Sequence, residues 1–314
     1  MGIDLGGTKI SGALFNSEGL VSPRKVLYRE NREGRQVGEQ LAELIRYLVD
    51  WSAKKGLLPA AVGIAVPGIY HTKTGRVWAP NIPGWDDYPL LAELTGQFPS
   101  MGIGIDSDRA CCILGETWKG AATGCKHAIF LAVGTGIGAG ILIDGRVLRG
   151  SEDIAGAVGW MALTDPFLEA YKTFGCFEYH ASGPGISRMA GKAREHHEFQ
   201  GKDQEIPVHE KQTTEAVFEA YQAGDPLAGQ VMAEAIRCWG KASANLVSLF
   251  NPEKIIFGGG VFGPATQFLG DIYTEAKKWA QPISIERVAF VSSKLGGDAG
   301  LYGAGLLALQ AGEG

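Results

Sequence analysis

Two glycine-rich turns, each set between short apolar segments, constrain this chain more than any other feature. The first is Asp4-Leu5-Gly6-Gly7-Thr8-Lys9, joining strands expected at Gly2–Leu5 and at residues 9–15. The second is Gly134-Thr135-Gly136-Ile137-Gly138-Ala139-Gly140, between residues 127–133 and a strand at 140–143 that ends in the hairpin turn Asp144-Gly145. Helical periodicity follows the first: residues 37–54 place Leu41, Leu44, Ile45, Leu48 and Trp51 on one face. The order strand, turn, strand, helix therefore occurs twice. It predicts an α/β chain of two similar lobes with a cleft between them.

The rest of the chain fits that plan. Residues 61–66 are an apolar strand closed by Pro67-Gly68, residues 103–105 a second strand, and residues 107–118 a helix. Thr214 is expected to cap a helix from Glu215, and Ala-Gly-Asp-Pro at 223–226 to break it before a long helix over 227–250. A strand at 254–257 runs into Gly258-Gly259-Gly260, and residues 303–311 form a small-residue helix. The polar stretch 198–212 reads as a surface loop. The expected domains are a small one over 1–120, with the C-terminal helix of 300–314 packed back on it, and a large one over 121–299.

Composition narrows the class. Glycine supplies 46 of 314 residues, about twice the usual share, with no collagen period, so the excess belongs to turns. A net charge of −5 gives no general drive toward nucleic acid or anionic membrane. Five irregularly spaced cysteines make neither a disulfide framework nor a CxxC zinc pair. No signal peptide and no apolar run of membrane-spanning length is present, which points to the cytoplasm.

Four stretches can carry chemistry. At Gly6-Gly7 the backbone can approach a phosphate, Thr8 adds a hydroxyl and Lys9 a cation, and Asp4 can hold Mg²⁺ through water; the alternative is an ordinary hairpin. Gly134, Thr135 and Gly136 look like a dinucleotide fingerprint, yet the chain continues as a strand rather than a helix, which favours a phosphate-binding hairpin. Asp108, in Ile105-Asp106-Ser107-Asp108 ahead of a helix, is placed as a general base, although Ser107 or Asp108 would serve equally as a helix cap. Gly258 and Gly259 end an apolar strand with open backbone, suited to adenine or an α-phosphate, or to a plain strand-to-helix turn.

Taken together, these stretches resemble the ROK family of sugar kinases and sugar-responsive repressors, nearly end to end. The markers are Asp4–Lys9, Ala65-Val66-Pro67-Gly68, Pro80-Asn81-Ile82-Pro83-Gly84-Trp85, Asp108 with Gly115-Glu116, Gly134–Gly140, Gly175-Cys176-Phe177-Glu178, Ala181-Ser182-Gly183, Ala223-Gly224-Asp225 and Asn251–Gly260. The Pro-Asn-Ile-Pro-Gly-Trp stretch is similar to the glucokinase-like members. The resemblance implies the two-lobed actin-like ATPase (ribonuclease H-like) fold, with an interlobe cleft closing over ATP and a sugar. It implies Mg²⁺ bridging the phosphates and Asp108 taking the proton of the attacking hydroxyl, the 6-hydroxyl of a hexose. Gly68, Asn81, Ser107, Glu178 and Trp160 are expected at the sugar, and Gly258 and Gly259 at the nucleotide. The family also implies a homodimer, while the charge and the lack of a membrane-length apolar run lead to the expectation of neither nucleic-acid nor membrane partners.

The departures bear on substrate. Ala157-Val158-Gly159-Trp160 stands where the family has Glu-x-Gly-His, and Trp160, Glu169 and Tyr171 replace three of the four expected zinc ligands, leaving Cys176. One cysteine makes no tetrahedral site, so no structural zinc is expected and the loop over 160–178 must be held by packing of Trp160, Phe167, Tyr171, Phe174 and Phe177. Ala157 accepts no hydrogen bond from the C1–C2 end of a sugar. Trp160 either stacks on a sugar face or fills the core. The expected acceptor is a hexose or related sugar, the alternative a non-glucose substrate such as an N-acetylhexosamine, a ketose or a cyclitol, with polyphosphate an alternative donor. Met1 lies three residues before Asp4, so the first strand is expected to be clipped, or the true start to lie elsewhere, with no room for a repressor's DNA-binding helices. A catalytically silent sugar- or nucleotide-binding regulator is the reading from another class.

Overall fold

The segments flanking the first glycine turn pair as an antiparallel hairpin, Gly2–Leu5 with Lys9–Ala13, with Leu5 opposite Ile10. They belong to a computed structural model that describes residues 1–199 and 213–312. The hairpin lies inside a five-stranded sheet ordered Lys25–Tyr28, Lys9–Ala13, Gly2–Leu5, Ala61–Val66, Gly102–Ser107. Among the first three strands each neighbouring pair is antiparallel, and the last three are parallel. A parallel neighbour needs a crossover, and the helix Arg35–Ala53 supplies it, burying Leu41, Leu44, Ile45 and Leu48 on one stripe. Every residue of Ala61–Val66 is buried, as expected of a strand covered on both faces.

A second sheet repeats the plan in the order Arg146–Val147, Ile137–Ile143, Ala128–Val133, Lys254–Gly258, Ala289–Ser292, with the last three again parallel. The helix Pro226–Phe250 leads into its fourth strand. Asp225 caps that helix, accepting the Ala228 amide at 2.8 Å, and Pro226 occupies the first turn, where no amide is needed. The helix before it starts at Thr214 and is capped by Thr213, one residue earlier than the sequence suggested.

The chain divides into two compact units. One holds Met1–Lys126, Gly140–Gly156 and everything from Ser293 onward; the other holds His127–Ala139 and Ala157–Ser292. Residues 140–156, which sequence reading places in the second domain, go with the first.

The C-terminal helix, Ala299–Gly312, packs on Asp108–Lys119 and on Ala61–Val66. Its small residues are required by the closeness of that contact. A Cβ on Gly303 would stand 1.8 Å from the Cys111 carbonyl oxygen, and one on Gly115 would stand 2.2 Å from that of Ala299. Of the loop expected at 198–212, residues 198 and 199 end the helix Gly183–Phe199 and the remainder lies outside the described residues. Among the described residues, no helix is long and apolar enough to cross a membrane.

Candidate active site

Of the two residues that could cap the helix after Ile105, one does. Ser107 is the cap: its backbone is extended and its hydroxyl accepts the Ala110 amide at 3.3 Å. Asp108 is the first helical residue, and its Oδ1 accepts the adjacent Arg109 amide at 2.7 Å. Burial raises the Asp108 carboxyl above the ordinary carboxylate range, opposed by the Arg109 guanidinium and that amide.

Asp4 is close enough to feel this group. Its carboxyl is pushed up to about 7, first by burial and then by the charge of Asp108, while Lys9 pulls the other way. The C-terminal helix presents Gly300 to it, where a Cβ would lie 3.3 Å from the carboxyl. Beside Asp4 the turn is tight: the Gly6 amide donates to the Lys9 carbonyl at 2.9 Å, and Gly7, Thr8 and Lys9 are exposed. Asn81 adjoins it, its Nδ2 lying 3.5 Å from where a Gly7 Cβ would stand. The Gly68 carbonyl accepts from Arg109 Nη2 at 3.3 Å, tying the Pro67-Gly68 turn to the start of the Asp108 helix. The first unit thus gathers Asp4, Gly6–Lys9, Gly68, Asn81, Ser107 and Asp108.

Two arginines found only in the structure brace this half. Buried Arg29 donates through Nη1 to the Gly7 carbonyl, and its own amide donates to the Thr8 carbonyl at 2.9 Å, so the phosphate-type turn is held from behind. Arg149 grips Asp106, two residues before Asp108, through both terminal nitrogens. Neither residue lies in a recognisable motif, and each is distant along the chain from the turn that it holds.

The second unit gathers the remaining residues. Gly134 donates to the Gly136 carbonyl at 2.9 Å, closing the second turn, and accepts the Gly183 amide at 2.8 Å. Glu178 Oε2 accepts the Ile137 amide at 2.7 Å, and a Cβ on Gly136 would stand 3.0 Å from that oxygen. Burial raises the Glu178 carboxyl, opposed by the Ile137 amide and by Arg188. Gly259, with φ +88°, approaches Val133, where a Cβ would fall 2.4 Å from the carbonyl oxygen. Gly258 is buried against the Phe130 ring, so the open backbone expected at both glycines is found at Gly259, which is exposed, and not at Gly258.

Trp160 does not fill the core: it is 55% exposed. Of the five aromatics expected to hold its loop, Tyr171 and Phe177 are buried, while Trp160, Phe167 and Phe174 are open. The interior is held partly by polar contacts instead. Tyr171 Oη lies 2.7 Å from His180 Nε2 and 3.0 Å from Thr164 Oγ1, and Cys176 Sγ accepts the Leu163 amide at 3.4 Å. Glu169 pairs with Lys172 at 2.8 Å on the surface. Among the described residues, no group of three or more His, Cys, Asp or Glu is placed to hold a metal ion.

Comparison with known proteins assigns the frame. The model of the ROK family matches residues 1–311. A glucokinase of Halalkalibacterium halodurans is 31% identical over 99% of this chain and 94% of its own length. The crystal structure of a ROK hexokinase from Thermus thermophilus superposes with a TM-score of 0.80 at 31% identity, covering 100% of this chain and 99% of that one. A ROK family glucokinase from Streptomyces griseus, solved in complex with glucose and AMPPNP, gives 0.77 at 28% identity, covering 98% of each chain. The architecture is that of the two-lobed actin-like ATPase fold. The chain belongs to the ROK family.

Proposed function

We propose that this chain is an ATP-dependent sugar kinase, transferring the γ-phosphoryl group to a hydroxyl, the 6-hydroxyl, of a hexose or related acceptor. The observation that carries this reading is the Asp108 carboxylate at the start of its helix, relieved of capping by Ser107. With Ser107 satisfying the helix N-terminus, Asp108 is available to take the acceptor's proton, and its raised pKa makes it a better base than a surface aspartate. Glucokinase relatives, and a neighbour that binds glucose with an ATP analogue, support the substrate pair.

The other roles follow. Gly6, Gly7, Thr8 and Lys9, with Gly134, Thr135 and Gly136, cradle phosphates through backbone amides. Gly258 and Gly259 flank the nucleotide, Gly259 presenting its backbone. Gly68, Asn81, Ser107, Glu178 and Trp160 meet the sugar. Asp4 suits Mg²⁺ held through water: burial and the charge of Asp108 raise the cost of ionising its carboxyl, which a divalent cation relieves. When bound, that cation neutralises charge on the transferring phosphates. Phosphoryl transfer is mostly positioning and charge neutralisation, so these chain groups account for the catalysis. The enzyme works in the cytoplasm as a homodimer on a small sugar-like substrate.

Ala157, with no hydrogen-bonding side chain, and the exposed Trp160 favour an acceptor other than plain glucose. The test is coupled ADP release with Mg-ATP over hexoses, N-acetylhexosamines, ketoses and cyclitols, beside Asp108→Asn. Turnover lost in Asp108→Asn supports the kinase. ATP binding without turnover on any sugar overturns it in favour of a silent binder.

A further inference from the structure

Arg29 is 6% exposed, and its guanidinium meets carbonyl groups rather than an acid. The carbonyls come from three segments of the first unit: Nη1 donates to Gly7 and, at 3.5 Å, to Asn81, and Nη2 donates to Arg32 at 3.1 Å. Its Nε is buried with no partner. Among the described residues Arg29 makes no ion pair. Burial lowers its pKa, opposed by the charge of the exposed Glu33. Carbonyl oxygens satisfy donors but carry no net charge. A whole positive charge therefore stays buried, which costs free energy until an anion compensates it.

The backbone is strained to deliver that charge. Glu30 and Asn31 stand in succession at φ +48° and +63°, in the left-handed region that a β-carbon disfavours. The chain so turned brings the Arg32 amide back to the Arg29 carbonyl at 2.9 Å, and sets the Arg32 carbonyl on the guanidinium. Strain held at such a place points to function.

The charge acts through the first glycine turn. A peptide is planar and trans, so the Thr8 N–H points the opposite way from the Gly7 carbonyl that Arg29 holds. A cation on the carbonyl edge polarises the peptide and makes that N–H a stronger donor. The Thr8 carbonyl is taken by the Arg29 amide at 2.9 Å, so both oxygens of the turn are drawn back from an arriving anion. Gly7 and Thr8 are exposed where Arg29 is buried, which leaves the N–H edge as the side open to a ligand.

We propose that Arg29 is the positioning residue of this turn: it aims the Thr8 amide at the terminal phosphates of the nucleotide, and its buried charge is compensated when they bind. This rests on the sugar-kinase reading, in which the turn holds phosphate. Arg29 thereby selects a triphosphate over a nucleotide with one phosphate.

The test is calorimetry of AMPPNP and of AMP, each with Mg²⁺, on wild type, Arg29→Gln, Arg29→Lys and Arg46→Met, the last removing an exposed cation elsewhere in the same unit. Arg29→Gln is expected to lower the preference for AMPPNP over AMP by about tenfold, as one charge acting at close range would. Arg29→Lys keeps the charge and is expected to hold the preference within about threefold of wild type, and Arg46→Met to leave it unchanged. A mere brace would weaken both nucleotides together. A preference unchanged in Arg29→Gln, or lost equally in Arg29→Lys, therefore overturns the inference and leaves the kinase standing. Should Arg29→Gln not fold, the wild type gives a second reading. The shielded Arg29 Nε–H gives an NMR signal, identified by its absence from Arg29→Lys, that is expected to shift with AMPPNP and not with AMP. A signal that AMPPNP leaves in place overturns the inference. Binding of neither nucleotide to the wild type overturns the reading on which it rests.

Discussion

Arg149 holds Asp106 by a hydrogen bond from Nη1 to Oδ1 and an ion-pair contact of Nη2 with Oδ2, each at 2.6 Å. Asp106 is 2% exposed and lies at the end of the strand that delivers Asp108, and its Oδ1 also accepts the Ser107 amide at 2.8 Å. The pair therefore fixes the peptide on which the Asp108 helix begins. Arg149→Ala leaves a buried carboxylate without its partner and is expected to destabilise the protein by about 3 kcal/mol, at the lower end for buried pairs because Arg149 is partly open to water. Arg149→Lys keeps the charge and loses the fork, so it is expected to recover stability, measured by urea unfolding, better than kcat.

Asp108→Asn is expected to lower kcat by about 10²- to 10⁴-fold while ATP still binds, measured by coupled ADP release and calorimetry. The pH profile follows from the direction of the pKa shift. As the proposed base Asp108 must be ionised, and burial raises its pKa, so activity present at neutral pH is expected to fall as pH drops through that raised value. The acid limb of kcat/KM is therefore expected above the usual aspartate range of about 3.9, and the limb is absent from the residual activity of Asp108→Asn.

Ser107→Ala removes a helix cap and is expected to cost about 1 kcal/mol. Ser107→Asp restores the cap but adds a negative charge beside Asp108 and Asp106, so it recovers stability and not kcat. Thermal melting read together with steady-state rates separates the two effects.

Local rules explain why these turns were legible. The Gly6-Gly7 hairpin, the buried strand Ala61–Val66, the helix Pro226–Phe250 and the helix that begins at Asp108 are all written in runs of neighbouring residues. The supports for them are not. Arg29 reaches the first turn from 22 residues away and Arg149 reaches Asp106 from 43, and a lone arginine in a strand or loop carries no sign of its target. Residues 140–156 were misallotted for a related reason: the hairpin after Gly140 reads as a continuation of its strand, and its membership in the first unit is decided by contacts such as Thr72 with Asp153. Exposure of Trp160 was equally hidden, because tryptophan is as suited to a core as to a ligand face.

The small-residue helix offers a direct check of backbone packing. Gly303→Ala would place a methyl carbon 1.8 Å from the Cys111 carbonyl, an atom that the Asp108 helix cannot withdraw without moving. Overpacking of this kind costs about 1–3 kcal/mol. Gly270→Ala, where nothing lies near the added carbon, is expected to be neutral or mildly stabilising. A urea midpoint lowered in the first and not in the second checks the fit. Because Gly300 on the same helix faces Asp4, the first variant is also expected to lower activity.

His180 gives the loop around Trp160 its own pH signature. Its Nε2 meets the Tyr171 hydroxyl at 2.7 Å, and burial, helped by Lys192 and Arg188 and opposed by Glu234, holds its pKa below 6.5. The unfolded chain then binds the proton more readily than the folded one. The stabilising contribution of the neutral ring is whole above about pH 6.5 and is lost as pH falls through the window between 6.5 and the lowered folded value. His180→Gln has no such group to titrate. The stability gap between wild type and His180→Gln, followed by urea unfolding, is therefore expected to be wider at pH 7.5 than at pH 5.5. A gap that is unchanged would mean that folding leaves the ring's proton affinity as it is, and a gap wider at the lower pH would mean that folding raises it, either outcome overturning the prediction.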